Sequence, residues 1–445
     1  MKIDTAQGAL LGLALGDALG TTLEFKTKDS YQHITDIVGG GPFKLKPGQW
    51  TDDTAMMLCL GKSLLITGHN DLDDQMNRYV DWYKNGTNSC TGHCFDIGNT
   101  VRNALTSFTK TGVAIAGSED KYSAGNGSLM RTAPIALAFY DSHFTTLKTA
   151  SYLSSSTTHG EKRCLNACEL MNYFLFTLLK RDKAINKQTL LSLPQAFIDN
   201  VVIDWHEDIK EIALGSYKEK HRDDINGSGF VVESIEAALW CFYHSNDFKE
   251  GALLAANLGD DADTTAAIYG QLAGAFYGVT QLPSDWLEIL AWRDEIAQLA
   301  VDLVTMPNNE VIRDFLLKNL NILQHHSPDV QNETLLSFNS RDELISTLVN
   351  SAYEFNIVLT EFDWPEWAER FTRKVRMHSF QEWLSDADRV ECIKYLTMHI
   401  RQDRFSDGYI EKVILSKELP QVLHKLMCTS QNQDIQEQHV ESDFF

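Results

Sequence analysis

Apolar residues recur along the chain at intervals of three and four positions, which is the spacing that places them on one face of a helix. Other segments are apolar throughout, as is typical of buried helices. Strand-like alternation of apolar and polar positions is scarce, so the pattern predicts an all-α protein. The predicted helices are residues 5–20, 55–67, 72–84, 98–109, 143–154, 161–180, 206–216, 231–244, 248–258, 263–277 and 285–304.

A second helical part follows a polar stretch that is rich in Asn, Gln, His, Ser and Pro and that we interpret as a linker. Beyond it, Trp364, Trp367 and Trp383 provide enough apolar area for a small separate core. The end of the chain is polar and acidic, which is typical of a disordered tail. The predicted divisions are a main domain at 1–305, a linker at 306–340, a mainly helical domain at 341–428 and a tail at 429–445.

Composition and charge exclude several classes of protein. Of the 445 residues, 43% are apolar and 22% are charged, which is ordinary for a globular protein. A formal net charge of −22 disfavours nucleic acid and anionic membranes as partners. We find no apolar stretch long enough for a bilayer and no secretory signal, and we therefore expect a cytoplasmic location. The eight cysteines lack disulfide-framework and zinc-site spacings, so reduced, mostly buried thiols are expected.

The first predicted helix is apolar on every side and carries a glycine at every fourth position. Gly8, Gly12, Gly16 and Gly20 would leave one flank without side chains, so that a neighbouring helix can approach closely. Asp17 lies inside this apolar helix and needs a polar partner there. We expect it to be a buried structural carboxylate that caps a loop.

Two acidic clusters provide the main chemical signal. Thr51-Asp52-Asp53 and the segment Gly-Asp-Asp-Ala-Asp-Thr at 259–264 each stand directly before an apolar helical pattern. Asp and Thr often cap helices, but one cap needs only one such side chain. Carboxylates crowded into one turn repel one another unless a cation neutralises them. If the clusters meet in the fold, they form an oxygen-only cage for one or two hard cations such as Mg²⁺ or Mn²⁺.

Other segments are ambiguous when taken singly. Gly125-Asn126-Gly127-Ser128, with Arg131 nearby, is similar to a phosphate-cradling turn, although a plain turn before a helix explains it equally well. His159 could donate to an anionic or hydroxylated ligand or could be a satisfied structural histidine. Glu24 alone would be an ordinary solvated glutamate.

Taken in order, these motifs resemble the ADP-ribosylglycohydrolase family. The resemblance covers about residues 1–305, and its specificity comes from the fixed order of the motifs. They are Gly16-Asp-Ala-Leu-Gly20 with Glu24, Thr51-Asp52-Asp53, Gly125-Asn126-Gly127 with Met130-Arg131, Thr158-His159, and the segment 259–264.

The resemblance implies a compact, orthogonal all-α domain with a central dimetal site that holds two divalent cations, Mg²⁺ or Mn²⁺. Asp260 stands where many members have glycine, which adds charge without removing a ligand. The implied metal ligands are Thr51, Asp52, Asp53, Asp261, Asp263 and Thr264.

The resemblance also implies catalytic and substrate-binding residues. Glu24 matches a mobile glutamate of the family, and it or a metal-bound carboxylate such as Asp53 would be the general base. Asp96 resembles the aspartate of arginine-directed members, but it could instead cap the helix that begins near Gly98. The residues expected to hold the diphosphate and the neighbouring sugar are Ser123, Gly125, Asn126, Gly127, Ser128, Met130 and His159.

The implied function is hydrolysis of the N-glycosidic bond between ADP-ribose and a protein side chain, with arginine as the expected attachment. The partner would be an ADP-ribosylated protein, and ADP-ribose would be the product. The alternatives are another linkage (serine, nucleic acid or O-acetyl-ADP-ribose) and a non-catalytic ADP-ribose-binding protein. The C-terminal part resembles a small uncharacterised bacterial domain, which implies no chemistry.

Overall fold

The computed structural model describes residues 2–181, 183–320, 322, 338–406 and 408–430. Within these ranges every regular element is helical, apart from three isolated β-bridges, so the predicted all-α class is confirmed. In chain order the α-helices are α1 (Lys2–Gly20), α2 (Asp52–Thr67), α3 (Leu72–Asn85), α4 (Asn99–Thr111), α5 (Ala133–Ala138), α6 (Phe144–Ser156), α7 (Lys162–Lys180), α8 (Lys187–Leu190), α9 (Gln195–Asn200), α10 (Glu207–Ala213), α11 (Val231–His244), α12 (Phe248–Ala256), α13 (Ala262–Tyr277), α14 (Ser284–Ile289), α15 (Arg293–Thr305), α16 (Asn309–Lys318), α17 (Phe338–Glu354), α18 (Trp364–Met377), α19 (Phe380–Asp386), α20 (Arg389–Asp403), α21 (Tyr409–Leu415) and α22 (Glu418–Ser430). Short 3-10 helices are Lys121–Ser123, Val202–Asp204, Ser216–Glu219, Arg222–Asp224 and Val279–Gln281.

The chain folds into two compact units. The first comprises the chain up to Val304 without Leu65–His69, and the second comprises Leu65–His69 and the chain from Thr305. None of the helices described is long and apolar enough to cross a membrane. All eight cysteines are free thiols, and five of them are buried.

The centre of the first unit is the pair α1 and α13, which run side by side in opposite directions. A Cβ added to Gly12 would lie 2.3 Å from the carbonyl oxygen of Gly270, and one added to Gly16 would lie 2.0 Å from that of Ala266. Such distances allow no side chain, so the backbones of the two helices are in direct contact. This is the close approach that the glycine spacing predicts, and it brings the end of α1 to the start of α13.

The predicted helix 285–304 is two helices, α14 and α15, separated by Leu290–Trp292. The backbone at the break bonds to the loop before α2. The Ala291 amide donates to the Gly48 carbonyl at 2.9 Å, and the Trp50 indole N–H donates to the Ala291 carbonyl at 2.9 Å. Trp292 takes a left-handed conformation with φ of 59°. These hydrogen bonds take the place of hydrogen bonds within a helix at Ala291. The apolar pattern of the sequence continues through the break and therefore predicted a single helix.

The second unit has an aromatic core. Phe371 packs 5.1 Å from Trp367 and 4.9 Å from Trp383, measured between ring centroids. Helix α16 contributes the buried residues Ile312 and Phe315 to this core.

Helix α16 lies inside the stretch 306–340 that the sequence analysis assigned to a linker, so this part of the linker is a packed helix. The apolar face of residues 311–323 outweighs the polar composition around it. Helix α17 begins at Phe338, inside the predicted linker, and α22 ends at Ser430, inside the predicted tail. Residues 321 and 323–337 of the predicted linker and the tail from 431 lie outside the described residues. The domain boundaries as a whole stay predictions.

Candidate active site

Asp17, on the last turns of α1, fixes the beginning of α2. Its Oδ1 accepts from the backbone N–H and the hydroxyl of Thr51 at 2.8 and 2.9 Å, and its Oδ2 accepts from the same groups of Thr54 at 3.0 and 2.6 Å. Burial raises the pKa of Asp17 to about 6, and the hydrogen bonds oppose that rise. The carboxylate is therefore a structural cap, as expected, and its lone pairs are occupied.

The first turn of α13 meets the first turn of α2, so the two acidic clusters converge as hypothesised. The Thr51 hydroxyl lies 3.2 Å from Asp53 Oδ2 and 3.2 Å from Asp263 Oδ2. The Thr264 hydroxyl lies 3.3 Å from the same oxygen of Asp53. The Thr51 hydroxyl also contacts Asp17 and has only one proton to donate. Several of these oxygen atoms therefore face one another without a proton between them.

A second group of acids shares one member with the first. Carboxylate oxygens of Glu24, Asp96 and Asp263 lie within 4.8 Å of one another, as do those of Asp17, Asp53 and Asp263. Asp263 thus stands between two sets of oxygen atoms, either of which could hold a metal ion.

Asp96 belongs to this second group and does not cap the following helix. The N-cap position of α4 is Gly98, and no side chain caps the amides of its first turn. Asp96 itself has a φ of 61°, a left-handed conformation that is uncommon for a residue other than glycine. The capping alternative is therefore not seen, and the side chain faces the acids.

Burial raises the pKa of every acid in the site. It raises that of Glu24 to about 10 and that of Asp96 to about 7. The charge of Asp96 and a hydrogen bond between the two carboxyl groups raise the pKa of Glu24 further, whereas the same bond opposes the rise at Asp96. Burial, followed by repulsion from neighbouring carboxylates, also raises the pKa of three others. These are Asp52, Asp53 and Asp263.

The donor set fits a divalent cation. Asp53 Oδ1 and Glu24 Oε2 are buried and have no hydrogen-bond partner among the described residues. Buried carboxylates normally have partners, and leaving one without compensation is costly. An oxygen-rich set of carboxylates and hydroxyls is what hard cations such as Mg²⁺ and Mn²⁺ prefer.

Asp261 connects the acids to the glycine-rich loop. It occupies the N-cap position of α13, but its side chain makes no capping bond. Its Oδ2 instead accepts from Asn126 Nδ2 at 2.6 Å, and the same Asn126 nitrogen lies 2.9 Å from the Ser234 hydroxyl. The predicted loop residue and the predicted metal ligand are therefore brought together.

His159 packs against the glycine-rich loop from the protein interior. A Cβ on Gly127 would lie 2.9 Å from its Cε1, and one on Gly125 would lie 3.4 Å from its Nε2. Its Nδ1 is 2.9 Å from the Thr158 hydroxyl, which accepts from Arg131 Nη2 at 2.8 Å. Burial lowers the pKa of His159 to about 3, so the ring is neutral. The imidazole thus occupies the space of a side chain at Gly127, whereas a Cβ on Gly125 would make only an ordinary contact with it.

The backbone amides of the 125–128 loop are only partly used. Those of the first two residues donate to the carbonyls of Ser123 and Gly229 at 2.9 and 3.1 Å. Those of Gly127 and Ser128 have no acceptor in the described part of the chain. Two N–H groups of the loop are thus left for a ligand.

The remaining predicted loop residues make contacts within the protein. The Ser123 hydroxyl donates to Ser118 at 2.9 Å, that of Ser128 accepts from Ser155 at 2.8 Å, and Met130 is buried. Arg131 is 1% exposed and lies 4.4 Å from the Tyr79 ring centroid. It is therefore not the exposed phosphate contact that its place in the sequence suggested, because its guanidinium is used inside the protein.

Sequence reasoning missed two features of the site. One is Thr54, whose hydroxyl completes the cap on Asp17. The other is a group of three phenylalanines beside the acids, of which Phe25 follows Glu24 directly and Phe95 precedes Asp96 directly. A phenylalanine directly beside each of these two acids in the sequence is a signal that could have indicated the group.

Residues 2–311 match the family model described as ADP-ribosylglycohydrolase, which is well over half of the chain. The chain belongs to the ADP-ribosylglycohydrolase family. It is therefore a glycohydrolase enzyme, as the resemblance implied.

Relatives of this ADP-ribosylglycohydrolase cover mainly the same region. An ADP-ribosylarginine hydrolase Tri1 from Pseudomonas putida is 45% identical over 68% of this chain and 78% of its own length. A Tri1 from Serratia proteamaculans is 41% identical over 69% and 81%. An ADP-ribosyl-[dinitrogen reductase] glycohydrolase from Rhodospirillum rubrum is 33% identical over 66% and 92%. A solved structure titled ADP-ribosylglycohydrolase-related protein complex has a TM-score of 0.60 and 39% identity, covering 68% of this chain and 98% of that chain.

Residues 312–432 match a family of unknown function, DUF6508. The polar motif of this part, at 401–409, is explained by a turn. Asp403 Oδ1 accepts from the Ile410 amide at 2.9 Å, and Gly408 has a left-handed φ of 72°. The described residues of this motif thus join helices α20 and α21.

Proposed function

We propose that this ADP-ribosylglycohydrolase removes ADP-ribose from arginine side chains of modified proteins and depends on two divalent cations, Mg²⁺ or Mn²⁺. The observation that carries the proposal is the position of Asp263 in both groups of converging carboxylates. The names of the Pseudomonas putida and Serratia proteamaculans relatives, both ADP-ribosylarginine hydrolases, support arginine as the attachment.

Asp17 is close to one group but is not proposed as a ligand, since four hydrogen bonds already occupy its carboxylate. A bound divalent cation supplies Lewis acidity and cancels the repulsion among the carboxylates. The residues proposed to hold the two cations are Thr51, Asp52, Asp53, Asp261, Asp263 and Thr264.

Hydrolysis adds the hydroxyl of water to the anomeric carbon of the ribose and transfers one proton to the departing guanidine nitrogen as the C–N bond breaks. We assign Glu24 as the base that takes a proton from the water, with Asp53 as the alternative base. Bound cations would lower the pKa of Glu24 from its raised value and leave its carboxylate ionised. Asp96 either accepts the paired N–H groups of the guanidine as a carboxylate or, when it is protonated, delivers the proton to the departing nitrogen. Because carboxylate oxygens of Glu24 and Asp96 lie within 4.8 Å of each other, a proton taken up at Glu24 can return to the departing nitrogen through Asp96.

The glycine-rich loop is proposed to bind the diphosphate of ADP-ribose. The amides of Gly127 and Ser128 are the donors available for phosphate oxygens, and a loop of this kind presents them together. The other residues of this proposed subsite are Ser123, Gly125, Asn126, Met130 and His159, most of which shape the loop.

Release of ADP-ribose from arginine-, serine- and nucleic-acid-linked substrates, measured side by side with and without chelator, tests this function. Turnover of the arginine-linked substrate alone, lost with chelator and restored by Mg²⁺ or Mn²⁺, is expected. Preference for serine- or nucleic-acid-linked substrate would show that the same cage serves another leaving group. Undiminished turnover in chelator would overturn the metal dependence.

A further inference from the structure

Three phenylalanines form a connected cluster beside the acidic site. The ring centroids of Phe25 and Phe43 lie 6.5 Å apart with an interplanar angle of 73°. Those of Phe43 and Phe95 lie 5.0 Å apart with an angle of 55°. Edge-to-face and tilted arrangements of this kind stabilise aromatic groups. We call Phe25, Phe43 and Phe95 the phenylalanine cluster.

The phenylalanine cluster flanks the two acids assigned to proton transfer. Phe25 directly follows Glu24 and Phe95 directly precedes Asp96, and the carboxylate oxygens of these acids lie within 4.8 Å of each other. Through Phe95 the cluster is therefore joined directly to Asp96, the acid that the proposed function assigns to the leaving group. The glycine-rich loop lies beside Asp261, a different part of the site.

Phe25 is held in an unusual position. It is 68% exposed and has a φ of 59°, a left-handed conformation that is a clear outlier for a bulky side chain. Its amide donates to the Asp260 carbonyl at 2.7 Å, and the Asp260 amide donates to the Lys26 carbonyl at 2.7 Å. Burial in the core does not explain this conformation because most of the side chain faces solvent. Strained residues of this kind are concentrated at functional sites.

We propose that the phenylalanine cluster is a specificity surface for the arginine side chain of the substrate; this inference rests on the proposed function. A guanidinium is a planar cation with a flat face for an aromatic ring and an edge of N–H donors for a carboxylate. Phe25 supplies the aromatic ring for the flat face, and Asp96 supplies the carboxylate for the N–H edge. The three methylenes of arginine give the rings further apolar contact, whereas a serine linkage has one methylene and no cation.

Substitutions at Phe25 distinguish the contribution of the aromatic face from that of the apolar volume of the side chain. F25L keeps apolar volume and removes the aromatic face, whereas F25Y keeps the ring. I203A is the matched control, because Ile203 is a 54% exposed apolar side chain in the 3-10 helix Val202–Asp204, which contributes none of the residues assigned to the site. For each purified full-length enzyme we would measure KM and kcat for a peptide with one ADP-ribosylarginine. The inhibition constant of ADP-ribose would be measured in parallel.

F25L should raise KM for the arginine-linked peptide by about twofold to thirtyfold, the range that cation–π contacts span. The inhibition constant of ADP-ribose should stay at the wild-type value, F25Y should lie closer to wild type than F25L, and I203A should match wild type. An unchanged KM in F25L would overturn the proposal, as would an equal loss of affinity for ADP-ribose, which would place the ring against the nucleotide. If the wild type itself does not hydrolyse the arginine-linked peptide, the proposed function fails, and this inference fails with it.

Discussion

Gly16 of α1 and Ala266 of α13 are in backbone contact, since a Cβ on Gly16 would lie 2.0 Å from the Ala266 carbonyl oxygen. The neighbouring residue, Asp17, caps α2. The contact between α1 and α13 therefore sets the distance between the two acidic clusters as well as stabilising the core.

Replacing Gly16 by alanine should destabilise the protein by about 1–3 kcal/mol or more, because the added methyl group meets backbone atoms that cannot rotate away. Thermal unfolding would measure the loss. Gly98→Ala is the matched control, since a Cβ there meets nothing within 4 Å and φ is −63°. Equal melting temperatures for Gly16→Ala and wild type would contradict the backbone contact.

Asp53→Ala should abolish turnover while the far-UV circular dichroism stays helical. Wild-type protein should melt at a higher temperature when Mg²⁺ or Mn²⁺ is added. A free cation concentration of about a hundred times the dissociation constant should raise the free energy of unfolding by about 2.7 kcal/mol. Asp53→Ala should lose most of that rise. Asp260→Asn is the control, because Asp260 lies beside the site but is not a proposed ligand, and it should keep both properties. Full activity of Asp53→Ala would exclude a cage built on this residue.

Asp96→Asn should lower kcat for ADP-ribosylarginine by about a hundredfold or more, in the range for loss of a general acid–base group. The amide keeps the size of the side chain, so the melting temperature measured with added Mg²⁺ or Mn²⁺ should change little. Wild-type turnover by this variant would show that Asp96 does not act on the leaving group.

The chelated protein should lose stability as the pH rises. Burial raises the folded-state pKa of Asp17 to about 6 and that of Asp96 to about 7, above the unfolded value near 4. The folded state then binds more protons than the unfolded state between these values, so the free energy of unfolding falls between about pH 4 and pH 7.

Melting temperatures at pH 5 and pH 7.5 in chelator would measure this change. Asp96→Asn, which removes one titrating group, should show a smaller fall than wild type. A pH dependence that is identical in the two proteins would contradict the raised pKa of Asp96.

A chain that ends at residue 308 should fold and hydrolyse an ADP-ribosylated peptide. The proposed site residues all precede Val304, and the Rhodospirillum rubrum relative aligns over 300 residues that make up 92% of its length. Circular dichroism and product release would test this. A folded but inactive truncation would show that the second unit contributes to catalysis.

Local features such as helical segments and glycine spacing could be predicted from the sequence, whereas contacts between residues far apart in the chain could not. The glycine spacing of α1 predicted a close neighbour, but nothing in it identified α13 as that neighbour. The break at Leu290–Trp292 could not be predicted because its cause is a hydrogen bond between Ala291 and Gly48, which are far apart in the chain.

The same distinction holds at the site. The acids could be found because they are crowded in sequence and occur in the order of a known family. Phe43 could not, since it lies in an irregular loop and joins Phe25 and Phe95 only through tertiary packing. Arg131 was misinterpreted because sequence proximity to the loop does not show which way a side chain points.

The contact between α1 and α13 also determines when the enzyme can become active during synthesis. Helix α1 emerges from the ribosome long before α13 and is buried along nearly its whole length in the folded protein. Its partner is complete only at Tyr277, so an apolar helix must wait for most of the domain to be translated. The nascent chain consequently carries an aggregation-prone segment until α13 has been made, and hydrolytic activity is withheld until the two helices can pair.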